Sequence, residues 1–282
     1  MKEQEHQVFV YKTDAMKSLQ SLVAKSGYSR YTTDVIDTGK LEKLIYRFED
    51  RYDIHANKQK RYRQKKDGLC NSKLVLLKEN KYQVRFWLLV TPGSGVIEDL
   101  ENLVGVTDKK NRLELTGYEL VRIQKNDAVR WTWRITKNNY EEWQQRIQNA
   151  CRHKSDEQVR QIIYSLQKMP VFSEMRLQAY ALFRELQAQY RRYFTNDLEE
   201  KLFKAFYGRF KAAETVNAIQ LSRKVRRYHP RQREIDALKR EMKLLDDQFH
   251  QNYDPRNQDL MLEHQIQMSG FDYQIQLLKA MR

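Results

Sequence analysis

Two runs in this sequence concentrate cations at a density suited to a polyanion. KQKRYRQKK holds Lys58, Lys60, Arg61, Arg63, Lys65 and Lys66, with Tyr62 among them. SRKVRRYHPRQR holds Arg223, Lys224, Arg226, Arg227, Arg231 and Arg233, with Tyr228 and His229 interleaved and no acidic residue to cancel the field. Lys and Arg pair with phosphates, while a Tyr ring can stack on a base or sugar. Cations at a helix C-terminus also complement its dipole, but that accounts for one or two charges and not six. Each run also admits a plainer reading, as a solvated face or a localisation signal.

A third set of cations is strand-borne. VRWTWRIT alternates Val129, Trp131, Trp133 and Ile135 with Arg130, Thr132 and Arg134. At strand period one face is apolar and belongs in a core, and the other carries arginines. Arg122 on the partner strand and Arg85 in an earlier hairpin would extend that face into a phosphate-facing surface. Asn217, Gln220 and Gln232 could read base edges beside the second run, yet no compact helix-turn-helix spacing assigns a recognition helix.

Other chemistries have less to stand on. The sequence has no phosphate-cradling GxxxxGK[ST], no GxGxxG, no GxSxG and no HExxH. The six histidines, at 6, 55, 153, 229, 250 and 264, are scattered without metal-ligand spacing on a shared helix face. Tyr190 and Tyr193 flank two arginines, which a nicking tyrosine would want, but the accompanying His cluster is missing. No catalytic residue, metal ligand or cofactor is therefore assigned.

The whole chain agrees with a polyanion partner. Lys and Arg outnumber Asp and Glu by 52 to 37, leaving +15 over 282 residues. Such an excess draws nucleic acid first, and anionic membrane or acidic protein second. Cys70 and Cys151 are too few for a disulfide framework. The polar N-terminus and the lack of a bilayer-length apolar run lead to an expectation of a cytoplasmic protein without a membrane partner.

Positioning these cations falls to an α+β arrangement. Helical spacing covers 14–25 and 38–54, and HANKQKRYRQKKDG reads as a basic connector. KLVLLKENKYQVRFWLLV and RLELTGYELVRIQKNDAVRWTWRI read as two hairpins, expected to share one antiparallel sheet with flanking helices. A short helix is expected near 96–105 and another through Tyr140, Trp143 and Ile147. The remainder reads as helical. One helix is capped at Ser155 and stops near Pro170; the next carries Leu177, Tyr180, Leu182 and Leu186. A long one runs through Leu202, Phe206, Phe210 and Ile219. Ile235, Leu238, Met242, Leu245 and Phe249 step in heptads, as do Met261, His264, Met268, Phe271, Ile275 and Leu278, which predicts a helical hairpin or coiled coil able to pair two copies. The expected division is a basic α+β domain over 1–153 and a helical domain over 154–282.

FWLLVTPG, GYELVR and RWTWRIT together resemble a family of accessory proteins carried by plasmids and integrative conjugative elements, over roughly residues 45–195. The resemblance is one of strands and turns, and transfers no active-site residue. It implies DNA as the partner and mobilisation as the setting. The resulting expectation is a non-enzymatic DNA-binding protein that recognises a transfer origin and assists a separate relaxase. A plasmid replication or partition protein, and an RNA-binding assembly protein, remain the alternatives.

Overall fold

In a computed structural model of the chain, residues 6–125, 128–195, 198, 212–227, 230–251 and 258–280 are described. Contacts divide the chain into two compact units, Met1–Leu221 and Ser222–Arg282.

The first unit opens with β1 (Gln7–Phe9), α1 (Lys12–Ser26) and β2 (Arg30–Asp37). α2 (Leu41–Tyr52) and α3 (Lys58–Lys66) follow, then the hairpin β3 (Ser72–Lys78) and β4 (Gln83–Val90). Asn80 Oδ1 accepts bonds from the amides of Tyr82 and Gln83, at 2.8 and 3.0 Å, and so fixes the hairpin turn. After α4 (Ile97–Leu100) and β5 (Val104–Gly105) comes a second sheet of β6 (Glu114–Leu115), β7 (Tyr118–Lys125) and β8 (Ala128–Ile135). α5 (Lys137–Arg152), α6 (Asp156–Gln167) and α7 (Ser173–Tyr193) precede β9 (Thr215–Asn217) and α8 (Ala218–Arg227).

The α+β architecture is the one the sequence predicts, but the strands do not form the single antiparallel sheet expected. The two hairpins occupy different sheets: β3–β4 lies in a six-stranded sheet of order β5-β2-β4-β3-β1-β9, and β7–β8 in the three-stranded sheet β6-β7-β8. The larger sheet is also mixed, because β1 runs parallel to β3.

Burial explains why KLVLLK and FWLLV are continuous apolar runs. Both faces of the six-stranded sheet are covered, so strict alternation is not required. Leu74, Leu76, Val84, Phe86, Leu88 and Val90 pack with Leu41, Leu44, Ile45 and Phe48 of α2. Val75, Leu77, Trp87 and Leu89, on the opposite face, share a core with Ala15, Met16, Leu19 and Val23 of α1. Leu120, Trp133 and Ile135 of the second sheet belong to that same core, as do Ile147, Ile162 and Leu182 of α5, α6 and α7. The helices on either side of residue 153 thus share one interior. Trp133 is fully buried, and its indole Nε1 donates to the Met16 carbonyl at 3.0 Å.

The free edge of β8 is closed by side chains. Gln178 of α7 accepts from the Ile135 amide at 2.6 Å and donates to the Ile135 carbonyl at 3.2 Å. Gln20 of α1 donates to the Trp131 carbonyl at 2.8 Å. Such covering removes the pairing hazard of an open edge. On α7 the buried stripe is Met175, Ala179, Leu182, Phe183 and Leu186; Leu177 lies on the helix as expected, off that stripe and exposed. Ile219 lies on α8, directly after β9, while Leu202, Phe206 and Phe210 lie outside the described residues.

In the second unit, α9 (Pro230–Gln251) packs against α10 (Gln258–Ala280). Ile235 and Ile275 are buried, and Leu238, Met242, Leu245 and Phe249 are half-buried. Phe249 stacks on His264 with ring centroids 4.0 Å apart, and His264 Nε2 lies 3.3 Å from Asp246 Oδ1, an ion-pair distance without hydrogen-bond geometry.

Candidate nucleic-acid interface

KQKRYRQKK forms α3, a helix and not the connector its composition suggested. Its residues supply no apolar stripe, so the ends and the polar flank define it. Asn57 Oδ1 accepts from the Lys60 amide at 2.8 Å, a side-chain cap on the free helix-start donors. At the other end the Leu69 amide bonds the Gln64 carbonyl at 2.8 Å and the Gly68 amide bonds that of Lys65 at 3.3 Å. This pair is a Schellman termination; Gly68 supports it at φ 73°, where a side chain would be strained. Arg63, Lys65 and Lys66 in the last turn complement the dipole.

No residue of α3 is buried. The helix is held by polar contacts along one side. Asp53, itself left-handed at φ 50°, places Oδ2 2.6 Å from Lys60 Nζ and 3.4 Å from Gln64 Nε2. Asn71 Nδ2 donates to the Arg61 carbonyl at 3.2 Å, and the Arg61 guanidinium lies near Tyr28, where it offsets part of the rise that burial gives the phenol.

That anchoring fixes what faces outward. With residues 57, 61 and 64 against the body, helical geometry puts Gln59, Tyr62, Arg63 and Lys66 on the far side, at i, i+3, i+4 and i+7. All four are exposed, Tyr62 by 71%. Lys58 and Lys65 flank them and are exposed as well. Among the described residues no carboxylate pairs with Lys58, Arg63, Lys65 or Lys66. Six cations on nine residues without an acid repel one another, and an apposed row of phosphates would relieve that repulsion.

Lys73 is a further cation beside α3, with the carboxylate of Glu49 in the same surroundings. Burial first, and the Arg61 guanidinium next, draw the Lys73 ammonium below the ordinary lysine range. In the turn before α3, His55 Nδ1 sits 2.7 Å from Glu49 Oε2, and its ring lies 3.8 Å from that of His6. Burial, followed by His55 and Lys73, pushes the buried His6 down to about 3. Among the described residues no group of three or more His, Cys, Asp or Glu is placed to hold a metal ion. No helix of the described residues is long and apolar enough to cross a membrane.

The strand arginines do not form one face. Directly paired residues of an antiparallel ladder share a side, and β7–β8 pairs Arg122 with Trp131, Ile123 with Arg130 and Glu119 with Arg134. Arg122 therefore lies on the tryptophan side, opposite Arg130 and Arg134. Arg85 belongs to the other sheet and is paired with Glu79 at 2.5 Å. Arg134 is 2.5 Å from Glu119, which also holds Arg112 at 3.0 Å. Of this set, Arg122 and Arg130 are the exposed members without a carboxylate partner among the described residues.

The second run spans the end of α8 and the start of α9. Asn217 Oδ1 caps α8 by accepting from the Gln220 amide at 3.0 Å. Ala218, Ile219, Ser222 and Val225 form its buried side, leaving Arg223 and Lys224 exposed. Arg233 is exposed on α9. Tyr228 and the side chains of Arg226, Arg227 and Arg231 lie outside the described residues.

Sequence reading missed the anchors Asp53, Asn57 and Asn71 and the outward Gln59. The available signal was Asn57 and Gly68 bracketing the basic run, a start and a stop around good helix formers. No protein-family model matches the chain, and no curated protein and no solved structure matches it.

Proposed function

We propose that this chain works by binding DNA, as an accessory protein of a mobile element that recognises a transfer origin and assists a separate relaxase. The observation that carries the reading is α3: a capped helix anchored on one side, with Tyr62, Arg63 and Lys66 turned outward and, among the described residues, no carboxylate against them. A helix with an exposed basic side can lie along a duplex groove, its cations on phosphates and its Gln or Arg on base edges. Lys58 and Lys65 supply further phosphate contacts, and Arg223, Lys224 and Arg233 give the second unit its own cationic surface. The resemblance of the hairpin segments to mobilisation accessory proteins supports the setting, and the protein then acts in the cytoplasm.

The helical hairpin is the partner-binding part of the proposal. Leu262, Ile266, Tyr273 and Leu277 follow helical spacing along α10 and are 57, 61, 67 and 46% exposed. They lie apart from the half-buried Met261, His264, Met268 and Phe271. A second apolar stripe on one helix is a surface for a second copy of the chain.

Crosslinking the protein to DNA in its native cell and sequencing the recovered fragments tests the setting. Enrichment at one transfer origin is expected. Recovery of iterated sites at a replication or partition locus, or of RNA in place of DNA, would replace this reading with one of its alternatives.

A further inference from the structure

Trp131 alone of the four tryptophans is only half-buried, packed at the margin of the core; Trp87 and Trp133 are fully buried and Trp143 is 8% exposed. It lies in an open groove of about 420 Å³, bounded by α1, the edge of β8 and the chain entering α7. That volume falls in the range of small-ligand sites, about 300–1,000 Å³. Among the described residues three cations line it, Lys17, Lys25 and Arg130, and no carboxylate does. Lys17 is held by Asp14 at 2.9 Å, whereas Lys25 and Arg130 are exposed and have no carboxylate partner among the described residues.

The walls are tied together. Gln20 bonds the Trp131 carbonyl from α1, and Thr132 Oγ1 lies 3.0 Å from Ser173 Oγ at the start of α7. Phe172 backs the groove and is itself packed in the core. Little ordering is left for a ligand to impose.

We infer that this groove binds single-stranded nucleic acid, one unpaired base lying against Trp131 and the adjoining phosphates on Lys25 and Arg130. An aromatic surface flanked by cations is the combination that holds unpaired strands, because every base has a π face and every linkage a charge. A duplex keeps its bases stacked inward and offers Trp131 nothing to meet. An acidic peptide would satisfy the cations but not the indole. The inference rests on the proposed function only for the class of polymer; it uses a different site from α3 and a different form of the strand.

The test measures binding of the full chain to a labelled oligothymidylate by anisotropy, with intrinsic tryptophan fluorescence read in parallel. Binding should quench the emission of Trp131. Trp131→Ala should weaken it about 5- to 150-fold, the range for removal of one base–aromatic stack, and Trp131→Phe should restore part of the loss. Lys25→Glu/Arg130→Glu alters only exposed side chains and so keeps the test valid if the Trp131 variant misfolds. It should weaken the oligonucleotide and flatten its salt slope by about 1.4, at roughly 0.7 per phosphate. Arg63→Glu/Lys66→Glu should spare the oligothymidylate and weaken duplex DNA, so failure of the groove and failure of α3 give different patterns. Undiminished oligothymidylate binding by folded Lys25→Glu/Arg130→Glu, or displacement by polyglutamate as readily as by unlabelled oligothymidylate, would overturn the inference. So would a groove that takes thymidine monophosphate but no oligomer.

Discussion

Asp53 Oδ2 and Lys60 Nζ lie 2.6 Å apart, and the same carboxylate reaches Gln64 at 3.4 Å. One acid in the turn before α3 therefore steadies a helix that has no apolar face of its own. Lys60 is more than half exposed, so the pair contributes little to global stability, about 1 kcal/mol at most. Its importance is local. Asp53→Asn keeps a side chain tolerant of the left-handed backbone and removes the charge. Faster hydrogen exchange is expected at the amides of 61–66, with the global unfolding midpoint nearly unchanged. Unaltered exchange in α3 would show that the caps alone suffice.

Arg134 tests the other side of the charge assignment. Its guanidinium is engaged by Glu119, which also binds Arg112. Arg134→Ala should leave duplex affinity and its salt slope as in the parent. The same change at Arg63 should reduce both. Equal losses at the two positions would mean that the Glu119 pairs open when DNA arrives.

His6 gives the fold an acid-sensitive point. Its folded value, near 3, is below the unfolded value of 6.5, so between these limits the unfolded chain binds more protons. The contribution is intact above pH 6.5 and is lost as the pH falls towards 3. His6→Phe keeps a ring beside His55 and cannot be protonated. The stability difference between parent and variant, measured by urea unfolding, should shift in the variant's favour from pH 7 to pH 4.5. A constant difference across that interval would contradict the assignment.

Leu262 and Ile266 test the proposed pairing of copies. Both are more than half exposed on α10, so replacement by Lys should not disturb the hairpin. Leu262→Lys/Ile266→Lys should convert a concentration-dependent dimer to monomer in sedimentation, with helicity retained. A parent that sediments as monomer at every concentration would remove the second copy as occupant of that stripe.

The parts of the fold legible in the sequence were those with a local signature. The hairpin about Asn80 announced itself by two apolar runs and a turn, and α6 by Ser155, whose Oγ accepts from the Gln158 amide at 3.4 Å. α3 was missed because helix reading depends on apolar periodicity, and KQKRYRQKK has one aromatic and no aliphatic residue. β1 and β9 are three residues each and pair with each other across more than two hundred positions, so neither has a local cue. Register was equally hidden. Composition brought Arg122, Arg130 and Arg134 together as basic strand residues, but only the pairing of Arg122 with Trp131 put Arg122 on the opposite side. The candidate cations of α3 were all visible, while the acid and amides that orient them came from residues 53, 57 and 71, outside the run.

The central claim is that α3 presents Arg63 and Lys66 to the phosphates of a duplex. The direct measurement is duplex affinity from 50 to 200 mM salt for the parent and for Arg63→Gln/Lys66→Gln. The expected result is a weaker complex whose log–log salt slope is shallower by about 1.8, at roughly 0.9 per phosphate contact. Parallel lines of equal affinity, from a variant whose α3 keeps its exchange protection, would contradict it.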